Sequence, residues 1–105
     1  MILLIDDFRD LTADRVARTF DDGIIALQEC VWDYLLLDHD LGDEEVRKTG
    51  YGIVCWLEQN PQWRPKRIQL VTVNPVGRQN MVLALITMGY EQHGLEFELV
   101  SPSLD

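Results

Sequence analysis

Three aspartates directly follow apolar runs. Asp6 and Asp7 come after Ile2-Leu3-Leu4-Ile5, and Asp38 comes after Tyr34-Leu35-Leu36-Leu37. Carboxylate oxygens are hard ligands suited to Mg²⁺ or Mn²⁺, with water completing the octahedron. Any one of these residues alone reads more simply as a turn or helix cap, but the three together favour a shared metal site. His39 and Asp40 come next. A histidine titrates near neutrality and serves as general acid or base; a hydrogen-bonded structural histidine is an equally good reading. Asp40 either joins the ligands or orients His39. Arg9 and Arg78 follow the first and fourth apolar runs, and guanidinium groups suit bidentate phosphate binding. Gly77-Arg78 also opens a helix, whose free amides favour an anion. The competing role for each arginine is an ion pair with the acids. Thr72 and Asn74 are candidate contacts to a phosphate oxygen, although Asn74 before Pro75 reads better as ordinary turn chemistry. Gly42, Gly50 and Gly77 read as backbone devices for turns.

These residues need strands that end together. Continuous apolar runs suit strands buried on both faces of a parallel sheet, and in such sheets ligands bind beyond the carboxyl ends of the strands. The pattern predicts strands at about 2–5, 16–20, 34–37, 68–73 and 97–100, and helices at about 22–30, 50–59 and 78–89. Asp21 or Asp22 is expected to cap the first helix. Residues 8–15 have room for at most one helical turn, 38–49 form a polar loop and 61–66 a turn. Right-handed crossovers then give an α/β fold with a parallel five-stranded sheet, a reduced first helix and no final helix. His93, between the last helix and the fifth strand, is expected at the sheet edge opposite the acids.

The chain of 105 residues reads as a single domain, 1–105, with 47% hydrophobic residues available for a core. Its net charge is -9, and residues 1–45 hold 13 acidic residues against 3 basic ones. A broad acidic field repels nucleic acid, so a polyanionic substrate needs a metal or local arginines. Most of this charge reads as a soluble surface; a sharper reading is a decoy that imitates nucleic acid towards a basic partner. Cys30 and Cys55 lack metal-ligand spacing and read as buried free thiols of a reducing compartment. No basic leader precedes the first apolar run and no run approaches the ~20 residues of a membrane span, so a cytoplasmic protein without membrane contact is expected.

The order of elements resembles a response-regulator receiver domain, a flavodoxin-like fold, over nearly the whole chain. Asp6-Asp7 stand where receivers keep their acidic pair, Asp38 where they accept phosphate, and Thr72 at their hydroxyl position. Leu99-Val100-Ser101-Pro102 resembles the last strand, with Ser101 in place of the receiver lysine. A closer resemblance is to the receiver-like family predicted to process cyclic phosphates. Its motifs are matched in order by Asp6-Asp7-Phe8-Arg9, by Asp38-His39-Asp40-Leu41-Gly42, by Thr49-Gly50-Tyr51, and by Val71-Thr72-Val73-Asn74-Pro75-Val76-Gly77-Arg78-Gln79-Asn80-Met81. Val71 stands where that family has a histidine, and Thr72 where it has a serine.

The resemblance implies a phosphoesterase acting on cyclic phosphate ends of RNA or on cyclic nucleotides. Asp6, Asp7 and Asp38 would hold Mg²⁺ or Mn²⁺, Asp38, His39 and Asp40 would serve catalysis, and Arg9, Thr72, Asn74 and Arg78 would bind phosphate. A second class is a non-catalytic regulatory protein on a receiver-like scaffold, of phage or mobile-element origin, acting on a protein partner through its acidic or apolar face. Receivers cover one sheet face with their first and last helices. With both reduced or absent here, and with an apolar helix at 78–89, a homodimer or a stable protein partner is expected.

Overall fold

The structure is a computed structural model that describes residues 1–42 and 48–100. The elements are β1 (Ile2–Ile5), β2 (Arg15–Ala17), α1 (Phe20–Leu27), β3 (Tyr34–Leu37), α2 (Gly50–Gln59), a single 3₁₀ turn (Pro61–Trp63), β4 (Arg67–Leu70), α3 (Pro75–Thr87), β5 (Tyr90–His93) and β6 (Glu96–Leu99). The segment 43–47 of the expected polar loop, and Ser101, lie outside the described residues.

The sheet is six-stranded and mixed, in the order β2-β1-β3-β4-β6-β5, which corrects the expected parallel five-stranded sheet. Strands β2, β1, β3 and β4 are parallel, with Ile5 level with Leu37 and Leu37 level with Leu70. Strand β6 runs antiparallel to both β4 and β5. The crossover β4–α3–β5 therefore leaves a gap one strand wide. The two-residue loop Gly94-Leu95 turns the chain back into that gap, with Gly94 at a positive φ of 66° that a side-chain-bearing residue adopts reluctantly. Strand β5 escaped the sequence reading because it is a polar edge strand with only Tyr90 buried, and edge strands are typically polar or charged.

The reversal relocates two residues. His93 ends β5 level with Glu96, which is level with Gln69 near the carboxyl end of β4. It therefore lies at the same sheet edge as the acids rather than the opposite one, though three strand spacings, about 14 Å, from β3. Conversely, the Leu99 amide bonds the Lys66 carbonyl, so β6 ends beside the amino end of β4. The chain leaves that strand far from the acids, unlike the last strand of a receiver.

Alternate strand residues Leu3, Ile5, Leu35, Leu37, Ile68, Leu70 and Phe97 pack with Ala26, Leu27, Ile53, Val54, Leu57, Met81 and Leu85 in one core. The helices lie side by side, α1 against α2 and α2 against α3. Side-chain caps start all three: Thr19 accepts from the Asp22 amide, Thr49 from Gly52, and Asn74 from Gly77 with Pro75 in the first turn. Helix α1 thus starts at Phe20, shortening β2. Asp22, an expected cap, instead pairs with Arg15 at 3.0 Å. Tyr90 donates its hydroxyl to the Pro65 carbonyl at 2.6 Å and fixes the start of β5.

No helix lies between β1 and β2, in line with the reduced first helix expected, and the residues after Val100, where a final helix was not expected, lie outside the described residues. The second sheet face is nevertheless not a bare apolar surface. Leu4 is completely buried within the single chain, and the β4–β6–β5 half is polar. There the Tyr34 hydroxyl lies 2.8 Å from Gln69 Oε1 and 2.5 Å from Glu96 Oε1, and burial together with Glu96 pushes it up to about 12. Helix α3 buries Met81 and Leu85 but leaves Val76, Leu83 and Ile86 exposed, so it is covered on one side only. Cys30 and Cys55 are free and half-buried. No helix among the described residues is long and apolar enough to cross a membrane.

Candidate active site

Strands β1 and β3 are neighbours in register, so their carboxyl ends bring Asp6, Asp7 and Asp38 together. One oxygen from each lies within 4.8 Å of the others. Asp6 is fully buried. Its Oδ1 accepts the amides of Phe8 (3.1 Å) and Arg9 (3.0 Å), and its Oδ2 accepts the Arg9 guanidinium at 3.0 Å. Burial pushes its acidity down, but the two amides and the guanidinium outweigh burial and hold its pKa below the ordinary value. Asp38 accepts the His39 amide at 2.8 Å and lies 3.7 Å from Arg9. Burial dominates there, and with the nearby Asp6 charge it raises the Asp38 pKa against the opposing bonds from His39, Thr72 and Arg9.

Asp7 completes the cluster with a buried Oδ1 that has no hydrogen-bond partner. An unsatisfied buried carboxylate oxygen is costly, and Asp7 also brings an oxygen within 4.8 Å of oxygens of both other carboxylates. Three hard oxygen donors with one orphan fit a divalent cation such as Mg²⁺ or Mn²⁺. Arg9 already neutralises Asp6 and reaches Asp38, so it would compete with such an ion for the same charge.

His39 is built from below. Gly77, in the first turn of α3, offers no side chain, and a Cβ there would lie 2.5 Å from the imidazole ring. His39 Nδ1 lies 3.1 Å from Asp40 Oδ1 and 3.4 Å from Asn74 Nδ2. Asn74 Oδ1 accepts the Gly77 amide, which leaves its NH₂ towards the ring. The shorter contact fits an Nδ1–H donor to Asp40, which leaves Nε2 as the free acceptor. Asp40 thus orients His39 and is not in the carboxylate cluster. Gly50 is needed for space rather than for a turn, because a side chain there would run into the Asp38 carbonyl. Gly42, with φ 72°, is the turn glycine expected.

Thr72 is buried beside Asp38 and also caps the Asn74 amide at 3.0 Å. Asn74 is the α3 cap, as turn chemistry suggested. Arg78 lies in the fourth helical position rather than at the opening, half-buried, and forms no ion pair among the described residues. The two arginines therefore differ, Arg9 being tied to the acids and Arg78 available to an anion.

Sequence reasoning missed Arg18. Its NH1 donates to the carbonyls of Arg9 (2.6 Å) and Asp6 (3.3 Å), and its NH2 pairs with Asp10 at 2.7 Å. It clamps the loop that carries Asp7 and Arg9. A basic residue just past a short second strand was the only signal available.

No curated protein and no solved structure is similar enough to be matched to the chain. The sequence pattern of the cyclic-phosphate-processing receiver domain matches residues 1–87, from β1 through the end of α3. The chain belongs to the cyclic-phosphate-processing receiver domain family.

Proposed function

We propose that this pocket is a divalent-cation-assisted phosphoesterase site that opens cyclic phosphates at RNA ends or on nucleotides. The observation that carries the reading is the orphaned Asp7 Oδ1 beside Asp6 and Asp38, with the unpaired Arg78 at the same edge. Asp6, Asp7 and Asp38 hold Mg²⁺ or Mn²⁺, which when bound supplies concentrated positive charge at the phosphate. Arg78 and the Thr72 hydroxyl meet phosphate oxygens, and Arg9 shares the developing charge. Opening the ring adds water to phosphorus and breaks one P–O bond to the ribose. His39 Nε2, freed by the Nδ1 contact to Asp40, takes the proton from water and returns it to the departing ribose oxygen. With Val71 in the family's histidine position, this one imidazole serves both transfers.

The test is hydrolysis of a 2′,3′-cyclic nucleotide and a cyclic-ended RNA oligomer, with Mg²⁺, Mn²⁺ or EDTA, alongside Asp38→Asn. Cation-dependent opening that the substitution abolishes is expected; turnover unchanged in Asp38→Asn would overturn the site.

One observation favours a second reading, in which the protein is a non-catalytic regulator. Val76, Leu83 and Ile86 form an exposed apolar stripe along α3, a surface suited to a protein partner or to a second copy. Absence of turnover together with a self-associated state in light scattering would move the conclusion there.

A further inference from the structure

Phe8 is the most exposed aromatic side chain at the pocket, with 70% of its surface open. It is not a loose residue. Its amide is held by Asp6 Oδ1 at 3.1 Å, and the loop around it is clamped by Arg18. The Arg9 guanidinium lies 5.7 Å from the centre of its ring. The same guanidinium is 3.0 Å from Asp6 Oδ2 and 3.7 Å from Asp38 Oδ2. One cationic group thus touches the aromatic ring on one side and the carboxylate cluster on the other. An uncovered phenylalanine ring forgoes the hydrophobic gain of burial.

We propose that Phe8 is the base-stacking platform of the site and makes it selective for cyclic phosphates that carry a nucleobase. This rests on the phosphoesterase reading above. A phosphate drawn to the cation site and Arg9 has its base one ribose away, and the guanidinium that meets the acids also lies 5.7 Å from the ring centre. An aromatic face stacks on any base, so the contact gives nucleotide over non-nucleotide selectivity without base identity. Exposed Val73 and Val76 follow β4, two strand spacings or about 10 Å from β1, and line the other side of the same edge.

The experiment measures binding by calorimetry in Mg²⁺. Adenosine 2′,3′-cyclic phosphate and uridine 2′,3′-cyclic phosphate are compared with the base-free ribose 2′,3′-cyclic phosphate. The wild-type protein is set against Phe8→Ala and Phe8→Trp, and nuclear Overhauser contacts from base protons to the Phe8 ring are recorded. Both nucleotides should bind at least about tenfold more tightly than the base-free ligand. Phe8→Ala should remove that increment, so that nucleotides and the base-free ligand bind alike, and Phe8→Trp should restore it. Since Phe8 is exposed, the variants keep the fold. Equal wild-type affinity for nucleotide and base-free ligand overturns the platform and leaves the phosphate site standing, as does an increment that survives Phe8→Ala. No binding of either ligand overturns both readings.

Discussion

At the scale of the residue, the pocket is defined by how two similar carboxylates are pushed apart. Asp6 gains two amides and a guanidinium, while Asp38 is left to burial and to the Asp6 charge. The signs follow. Asp38, with a raised folded-state pKa, favours the native state while protonated, so stability of the cation-free protein falls as pH rises from about 4 through its raised pKa. Asp6, with a lowered pKa, contributes stability above about pH 4 that is lost on acidification below it. Asp38→Asn should remove the first slope and raise the cation-free melting temperature at neutral pH, in thermal scans from pH 4 to 8. Cation affinity should increase over the same pH range, because the ion requires the ionised carboxylate. Gly77→Ala tests the seat of His39. It should lower kcat at least about a hundredfold, the usual contribution of a positioned acid–base group, while calorimetric Mg²⁺ affinity is retained.

At the scale of the element, short strands place the chemistry and loops hold it. Strands β1 and β3 supply the acids, but the loop after β1 carries Asp7, Phe8 and Arg9, and Arg18 straps its backbone from outside. Arg18→Ala should weaken Mg²⁺ binding by about tenfold, the lower end of the effect of removing a residue that supports ligands, and speed amide exchange at residues 7–10 without unfolding the sheet. The hairpin makes a separate contribution. Tyr90→Phe deletes the bond to the Pro65 carbonyl and leaves that oxygen unpaired, so a loss of about 1–3 kcal/mol in urea titrations is expected, with the pocket intact. The elements most legible in the sequence were those with strong periodicity or bounding punctuation. Strands β1 and β3 and helix α2 run over the residues predicted, whereas β2 and α1 shifted because the Thr19 cap, not Asp21 or Asp22, sets the boundary.

At the scale of the whole molecule, the three helices cover one face, and the other is shared between a buried apolar patch around Leu4 and a polar half on β4, β6 and β5. The proposed cation binding would act on this whole unit by mass action: Mg²⁺ at a hundred times its dissociation constant should add about 2.7 kcal/mol of stability, read as a rise in melting temperature that Asp7→Asn abolishes. The sequence alone determined the family and the α/β class, and it named the three aspartates that the fold brings together, because four ordered motifs and continuous apolar runs ending in acids are local patterns. Tertiary structure alone decided the rest. Strand direction depends on which gap a segment fills, so only the assembled sheet turned β6 antiparallel and moved His93 to the edge of the acids. Partner choice among charges depends on distances across the chain. Only the folded molecule tied Arg9 to Asp6, left Arg78 without an ion pair among the described residues, orphaned Asp7 Oδ1 and set the Phe8 ring 5.7 Å from the Arg9 guanidinium.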